Sequence, residues 1–227
     1  MKKSIIPPSP SRADYTKSDE YRDVAAKNSA DIFDRDDPFA LFTEWMSAAR
    51  DAEINDSNAM SLATVDADGL PDVRMVLLKA VDEQGFTFYS HEDSAKGQQL
   101  KANGKAALCF HWKSLRRQVR VRGIVTAVKG AEADAYFASR ARGSQLGAWS
   151  SDQSRPVDSR AALEAKVADT EARFGEGDIA RPDFWYGWRV TPLQIEFWRD
   201  RPYRLHDRLL FARIDNNQSW TRTRLFP

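Results

Sequence analysis

Cations set beside aromatic and hydrogen-bonding side chains recur along this chain in a pattern suited to gripping phosphorylated ring compounds. The runs are Arg74-Met75-Val76-Leu77-Leu78-Lys79, Tyr89-Ser90 with Ser94 and Lys96, Arg117-Gln118, and Tyr136 to Arg140 with Ser144 to Trp149. Gln153-Ser154 follows, then Gln194 to Trp198 with Arg204, His206 and Arg208. Arg and Lys supply charge to phosphate oxygens, while hydroxyls and helix N-termini supply the remaining donors. Arg204, His206 and Arg208 fall on alternate positions. On an extended segment they share one side, where like charges repel unless an anion lies between them.

Arg74 and Lys79 are separated by an odd number of positions, so on a regular strand they point to opposite faces. Both can serve ligands only if a bulge intervenes or ligands lie on both sides; a barrel strand at a dimer seam has two such faces. Taken singly, most of these residues have ordinary readings. Trp198 alone reads as core, His206 as a hydrogen-bonded structural histidine, and Arg120 or Arg122 as a solvated strand charge. Cys109, between Leu108 and Phe110, reads as a small buried hydrophobe. The joint pattern favours a site.

The composition narrows the classes. With 227 residues and 42% hydrophobic content the chain can build a sizeable core. A net charge of +1 argues against a general nucleic-acid binder but leaves room for a local cationic pocket. Cys109 is the only cysteine, which excludes an intrachain disulfide and a four-cysteine zinc site. His91, His111 and His206 lack metal-ligand spacing, so no metal is expected. No apolar run reaches the length of a signal peptide or a membrane span, and a soluble, cytoplasmic protein is expected.

The elements that must position these residues are legible from periodicity. Residues 1–36 read as a mobile arm with at most one short helix over 21–26, and 37–227 as a single domain. Asp37-Pro38 starts a helix whose apolar face is Phe39, Phe42, Trp45, Met46 and Ala49. Strands are predicted over 60–65, 73–81, 86–90, 106–113 and 118–128, with antiparallel pairing across the turns at 66–69 and 82–85. Helices are predicted over 94–103, capped by Ser94, then 131–140 and 158–174, the last with Leu163, Val167 and Phe174 inward. The tail returns to strands over 185–190, 194–198, 209–214 and 220–225. The fold class is therefore mainly β: an antiparallel, closed or nearly closed barrel with peripheral helices. Neither βαβ alternation nor Gly-x-Gly-x-x-Gly occurs, which excludes a dinucleotide fold of that type.

Over residues 37–227 these motifs resemble the pyridoxamine 5′-phosphate oxidase family, in the same order and at compatible spacings. Arg204-Leu-His-Asp-Arg208 and Ser144-Gln-Leu-Gly-Ala-Trp149 are the specific matches, and Arg12 with Tyr15-Thr-Lys17 resembles the family's N-terminal segment. The resemblance implies an FMN-binding split barrel, a homodimer with FMN at the subunit interface. It implies that Arg74, Ser94 and Lys96 hold the FMN phosphate. Met75 to Lys79, Tyr89, Ser90, Gln118, Gln153, Ser154, Trp198 and Arg208 would line the rest of the flavin. Lys79, Tyr136, Arg140 and Ser144 would grip the substrate phosphate, with Arg12 and Tyr15 folding over it. Arg204 and His206 would sit at the carbon being oxidised and serve as the catalytic pair.

The implied reaction turns pyridoxamine or pyridoxine 5′-phosphate and molecular oxygen into pyridoxal 5′-phosphate and hydrogen peroxide. Another split-barrel flavin oxidoreductase, or a non-enzymatic FMN or pyridoxal-phosphate carrier, are the alternatives. One departure stands out: where the family commonly has Arg-Lys, this chain has Ala95-Lys96. One cation at the cofactor phosphate is thereby lost.

Overall fold

The computed structural model describes residues 5–6 and 11–227, apart from the side chains of residues 16, 17 and 20. The remainder of the expected arm, residues 1–4 and 7–10, lies outside the described residues. The chain forms two units: Met1–Asn58, Cys109–Val121 and Gln194–Pro227 make the first, Ala59–Leu108 and Arg122–Leu193 the second. No helix among the described residues is long and apolar enough to cross a membrane.

The strands are β1 (Ala59–Val65), β2 (Pro71–Leu77), β3 (Ala80–Asp82), β4 (Gly85–His91), β5 (Lys105–Trp112), β6 (Arg117–Val128), β7 (Trp185–Arg199), β8 (Asp207–Ala212) and β9 (Thr221–Arg224). They form one sheet in the order β2-β1-β5-β6-β7-β4-β3, with β8 on β7 and β9 on β8. The pairs β1–β2, β3–β4, β4–β7, β7–β8 and β8–β9 are antiparallel. The sheet is open, not the closed or nearly closed ring expected. The predicted strand 73–81 breaks at Leu78-Lys79, where the Lys79 N–H donates to Thr87 O at 2.8 Å. Its first half, β2, pairs with β1 and its second, β3, with β4, so the two halves become opposite ends of the sheet path.

In the first unit, α1 (Arg12–Lys17) and α2 (Asp19–Lys27) replace the single short helix expected. Ser11 and Asp14 form a reciprocal capping box, and Ser18 caps α2. Buried Tyr21 and Val24 anchor α2. Buried Asn28 follows, donating to Leu115 O at 2.9 Å and accepting from Arg117 Nε at 2.7 Å. The expected helix over 21–26 is α2, whereas α1 was not expected because its capping box, not an apolar period, marks it. In α3 (Pro38–Ala52) the Asp37 carboxylate accepts from the Phe39 and Ala40 N–H groups. Leu41, Phe42, Trp45 and Ala49 are its buried face, while Phe39 and Met46 are half-buried. Phe42 meets Phe110 at 5.1 Å and Trp45 meets Phe197 at 5.2 Å, both edge-on. Burying each such side chain contributes about 1.5–3 kcal/mol.

In the second unit, β1 alternates, with Met60, Leu62 and Thr64 buried. Ser94 caps α4 (Ala95–Asn103), and Gly104, in the left-handed region at φ 67°, ends it. After α5 (Ala131–Ala138) comes α6 (Arg142–Ser150), which periodicity did not predict. Its Gly143 and Gly147 lower helix propensity and no side chain caps its start. It forms because Leu146 packs into a cluster with Phe137, Ile179 and Trp185. In α7 (Arg160–Phe174) the three residues expected inward are only half-buried.

The two predicted strands at 185–190 and 194–198 are one strand, β7. It pairs with β4 through Val190 and with β8 from Gln194. Pro192, which has no N–H to donate, falls between the two registers. Beside it, a Cβ on Gly123 would lie 2.0 Å from Thr191 O, so this close approach of two backbones requires glycine.

Candidate functional site

A cavity of about 560 Å³ opens in the second unit. The end of β2 supplies Met75, Val76 and Leu77, the break after it Lys79, and β4 supplies Tyr89 and Ser90. Lys96 enters from the first turn of α4, Tyr136 from α5, Arg140 from the link that follows, Ser144 from α6, and Gln153 from the loop after α6. Three cations and no carboxylate line it.

Its wall is aromatic. Tyr89 stacks on Tyr136 at 4.0 Å and on Trp185 at 5.3 Å. The Arg140 guanidinium lies over Trp185 at 4.5 Å, and its Nη1 is buried without a hydrogen-bond partner. Burial pushes the Arg140 pKa down, with the nearby Tyr136 opposing. A buried donor left unmade costs about 1–3 kcal/mol, a debt that an anionic ligand would cancel. Lys96 Nζ donates to Gln153 Oε1 at 2.7 Å, and Ser90 Oγ donates to the same oxygen at 3.0 Å. Burial, then the charge of Arg74, lowers the Lys96 pKa, while Asp72 opposes.

Arg74 itself is off the cavity wall. Its guanidinium bonds Thr64 Oγ1, Asp72, Gln99 Oε1 at 2.9 Å and Leu62 O at 3.3 Å. Arg74 and Lys79 thus serve different surroundings, but the cause is the break at Leu78-Lys79, which removes the regular strand that the spacing argument assumed. Leu78 is core. The fully buried Ser94 hydroxyl accepts from the Gly97 N–H at 3.2 Å and donates to His91 O at 2.7 Å. Ser154, exposed and in the left-handed region at φ 73°, also lies off this cavity.

The remaining expected residues belong to the first unit. Trp198, at the end of β7, meets the His206 ring at 4.6 Å. Arg208, on β8, donates through Nε to Glu196 Oε1 at 2.8 Å and through Nη1 to Phe226 O at 2.9 Å. Gln118 is half-buried on β6, Arg12 is exposed on α1, and the Tyr15 ring lies 5.2 Å from that of Tyr203.

Residues 204–208 are not one extended segment. Pro202–Arg204 is a single 3-10 turn, with Tyr203 at φ 58° and Arg204 at φ 61°, and β8 begins only at Asp207. The repulsion argument also changes, because the protein supplies its own anions. Asp200 Oδ1 lies 3.1 Å from His206 Nδ1, and Glu196 pairs with Arg208. Arg120, read as a solvated charge, also pairs with Glu196. Burial alone would raise the Glu196 carboxyl, but bonds from Arg208 and Arg120 outweigh it and hold it below its ordinary value. Arg204 stays exposed.

Sequence reasoning missed Trp185, Ser139 and Ala141 on the cavity wall, and Glu196 and Asp200 beside the second cluster. Glu196 carried a usable signal. It is a charge between Ile195 and Phe197 on the same strand face as Trp198, where burial without a cation is costly.

An antiparallel sheet with flanking helices defines the class as the split barrel of FMN-binding proteins. A pyridoxamine 5′-phosphate oxidase-related, FMN binding protein from Nostoc punctiforme shares the fold at TM-score 0.67 and 19% identity, over 84% of this chain and 98% of that one. PhzG from Burkholderia lata 383, solved in complex with tetrahydrophenazine-1-carboxylic acid, matches at TM-score 0.79 and 29% identity, over 86% of this chain and 94% of that one.

Residues 46–174 match the family described as pyridoxamine 5′-phosphate oxidase. Residues 185–227 match the pyridoxine 5′-phosphate oxidase C-terminal dimerisation region. The pyridoxine/pyridoxamine 5′-phosphate oxidase of Maricaulis maris is 62% identical over 92% of this chain and 95% of its own length. That of Caulobacter vibrioides is 58% identical over 99% and 98%. The chain belongs to the pyridoxamine 5′-phosphate oxidase family, a family of oxidoreductases.

Proposed function

We propose that this protein uses FMN to oxidise pyridoxamine 5′-phosphate and pyridoxine 5′-phosphate with molecular oxygen. The amine, with oxygen and water, gives pyridoxal 5′-phosphate, ammonia and hydrogen peroxide; the alcohol and oxygen give the aldehyde and peroxide. The observation that carries this reading is the cavity with three cations, no carboxylate and a buried, unpaired Arg140 Nη1. That donor set fits a phosphorylated aromatic molecule, and the relatives' names identify which. FMN, held by these residues, would supply the two-electron redox chemistry that links oxidation of the substrate carbon to reduction of oxygen.

The chain's own residues bind, orient and exclude water. Lys96, Ser90 and Gln153 form one hydrogen-bonded group for the cofactor, with Arg74 adding charge behind Lys96. Lys79, Tyr136, Arg140 and Ser144 take the substrate phosphate, so remote binding energy fixes the reacting carbon. Arg204 and His206 orient the ring and assist proton removal, while Trp198, Gln118 and Arg208 complete the flavin wall. The match to a dimerisation region supports a homodimer, and in this reading FMN lies at the subunit interface. Residues 37–227 then act as one catalytic domain. In this reading Arg12 and Tyr15 fold over the substrate; the Tyr15 ring lies 5.2 Å from that of Tyr203, the residue before Arg204.

The test is direct. Full-length protein purified with excess FMN should be yellow, and pyridoxamine 5′-phosphate in air should yield peroxide and aldehyde absorbance together. Protein that takes up no flavin and consumes no oxygen with either substrate would overturn the reading.

A further inference from the structure

Asp200 belongs to none of the motifs above, yet groups from several elements converge on its carboxylate. Its backbone N–H donates to Arg116 O at 3.0 Å, and Arg116 Nη1 donates to Oδ2 at 3.2 Å. The Arg116 guanidinium also covers the ring of Tyr21, from α2, at 4.7 Å. Burial of Tyr21, followed by the charge of the Asp200 carboxylate, pushes its phenol up to about 12. Held this way, Oδ1 faces His206 Nδ1 at 3.1 Å.

Two partners compete for that one ring nitrogen. The Arg201 backbone N–H donates to Nδ1 at 3.2 Å, which favours the neutral ring with its proton on Nε2. The carboxylate favours the charged ring, in which Nδ1 carries a proton as well. The other charged groups acting on the ring are Arg204, from the turn, and Asp207, from the start of β8. We propose that Asp200 is a positioning residue for His206: it holds the imidazole beside Trp198 and, as its counter-ion, sets the pH at which Nδ1 gains a proton. The inference rests on the oxidase reading only in taking His206 as a substrate-side residue. Burial disfavours the charged ring and Arg204 adds to that, so Asp200 is the main group opposing them. Replacing it by Asn removes the charge and places an amide donor near Nδ1, and both changes favour the neutral ring.

The experiment follows the His206 ring by nitrogen-15 NMR in the full-length protein with excess FMN. It pairs this with the pH profile of kcat/KM for pyridoxamine 5′-phosphate. In Asp200→Asn the His206 midpoint and the acid limb of the profile should both move to lower pH, with FMN affinity unchanged. Asp200→Glu should restore the direction of the wild-type midpoint. In the wild-type protein, the Asp200 carboxyl carbon should shift at the His206 midpoint, a reading that needs no variant to fold. An unmoved His206 midpoint in Asp200→Asn, or an Asp200 carbon silent at that midpoint, would overturn the role. Wild-type protein inactive on both vitamers would sink the oxidase reading, while the NMR midpoints still decide the role of Asp200.

Discussion

The Arg140 guanidinium lies over the Trp185 ring at 4.5 Å, with Nη1 buried and unpaired. A cation stacked on an aromatic face, with one donor nitrogen buried and unpaired, is ready for an anion but unsatisfied without one. Arg140→Ala should therefore raise KM for the phosphorylated vitamers about ten- to a hundredfold, the equivalent of a lost charge-assisted bond of about 1.5–3 kcal/mol. Steady-state kinetics check this, with unphosphorylated pyridoxamine as the control. An equal loss on both compounds would show that Arg140 does not read the phosphate.

Glu196 is the shared acceptor of Arg120 and Arg208. Glu196→Ala leaves two cations without their carboxylate; because Arg120 is half-exposed and Arg208 partly so, water screens what remains and the loss should be about 1–2 kcal/mol. Urea denaturation should show that loss. Flavin titration should show weaker FMN binding because Arg208 is no longer held. Unchanged flavin affinity in folded protein would separate Arg208 from the cofactor.

Ala95 is exposed at the first position of α4, next to Lys96. Restoring the family's cation with Ala95→Arg should tighten FMN binding roughly ten- to a hundredfold. Quenching of flavin fluorescence on titration gives the dissociation constant. If binding does not tighten, this position does not face the phosphate.

Asp207 makes stability sensitive to acid. Burial would raise its carboxyl, but bonds from Arg201 at 2.6 Å and Arg199 at 2.9 Å outweigh it and hold the pKa below the ordinary value. A folded-state pKa below the unfolded one means the contribution is fully present above the unfolded value, about 3.9. It is lost as pH falls through the folded value. Thermal melting as a function of pH should show a steeper decline below about pH 4 in the wild type than in Asp207→Asn. Parallel curves would exclude Asp207 as a source.

Much of the fold was legible where the cause is local. Caps at Asp37 and Ser94, the left-handed stop at Gly104 and the alternation in β1 all follow from neighbours in sequence. The misreadings share one cause, which is a distant partner. Helix α6 forms against its glycines because Leu146 finds Trp185 and Ile179. The predicted strand 73–81 splits because its halves pair with different strands. In the site, the sequence listed cations without showing which were already answered. Lys79, Lys96 and Arg140 reach one cavity, whereas Arg74 spends its donors on Asp72, Thr64 and Gln99.

Residue types and their spacing by themselves determined the family, the sheet-rich class and the inventory of charges, since those depend on composition, period and motif order. Only the tertiary structure decided which charges are free to meet a ligand. Arg120 finds Glu196 across 76 positions, and Arg116 finds Asp200 across 84. Coulomb attraction and desolvation act through distance in space, and only the folded chain sets that distance.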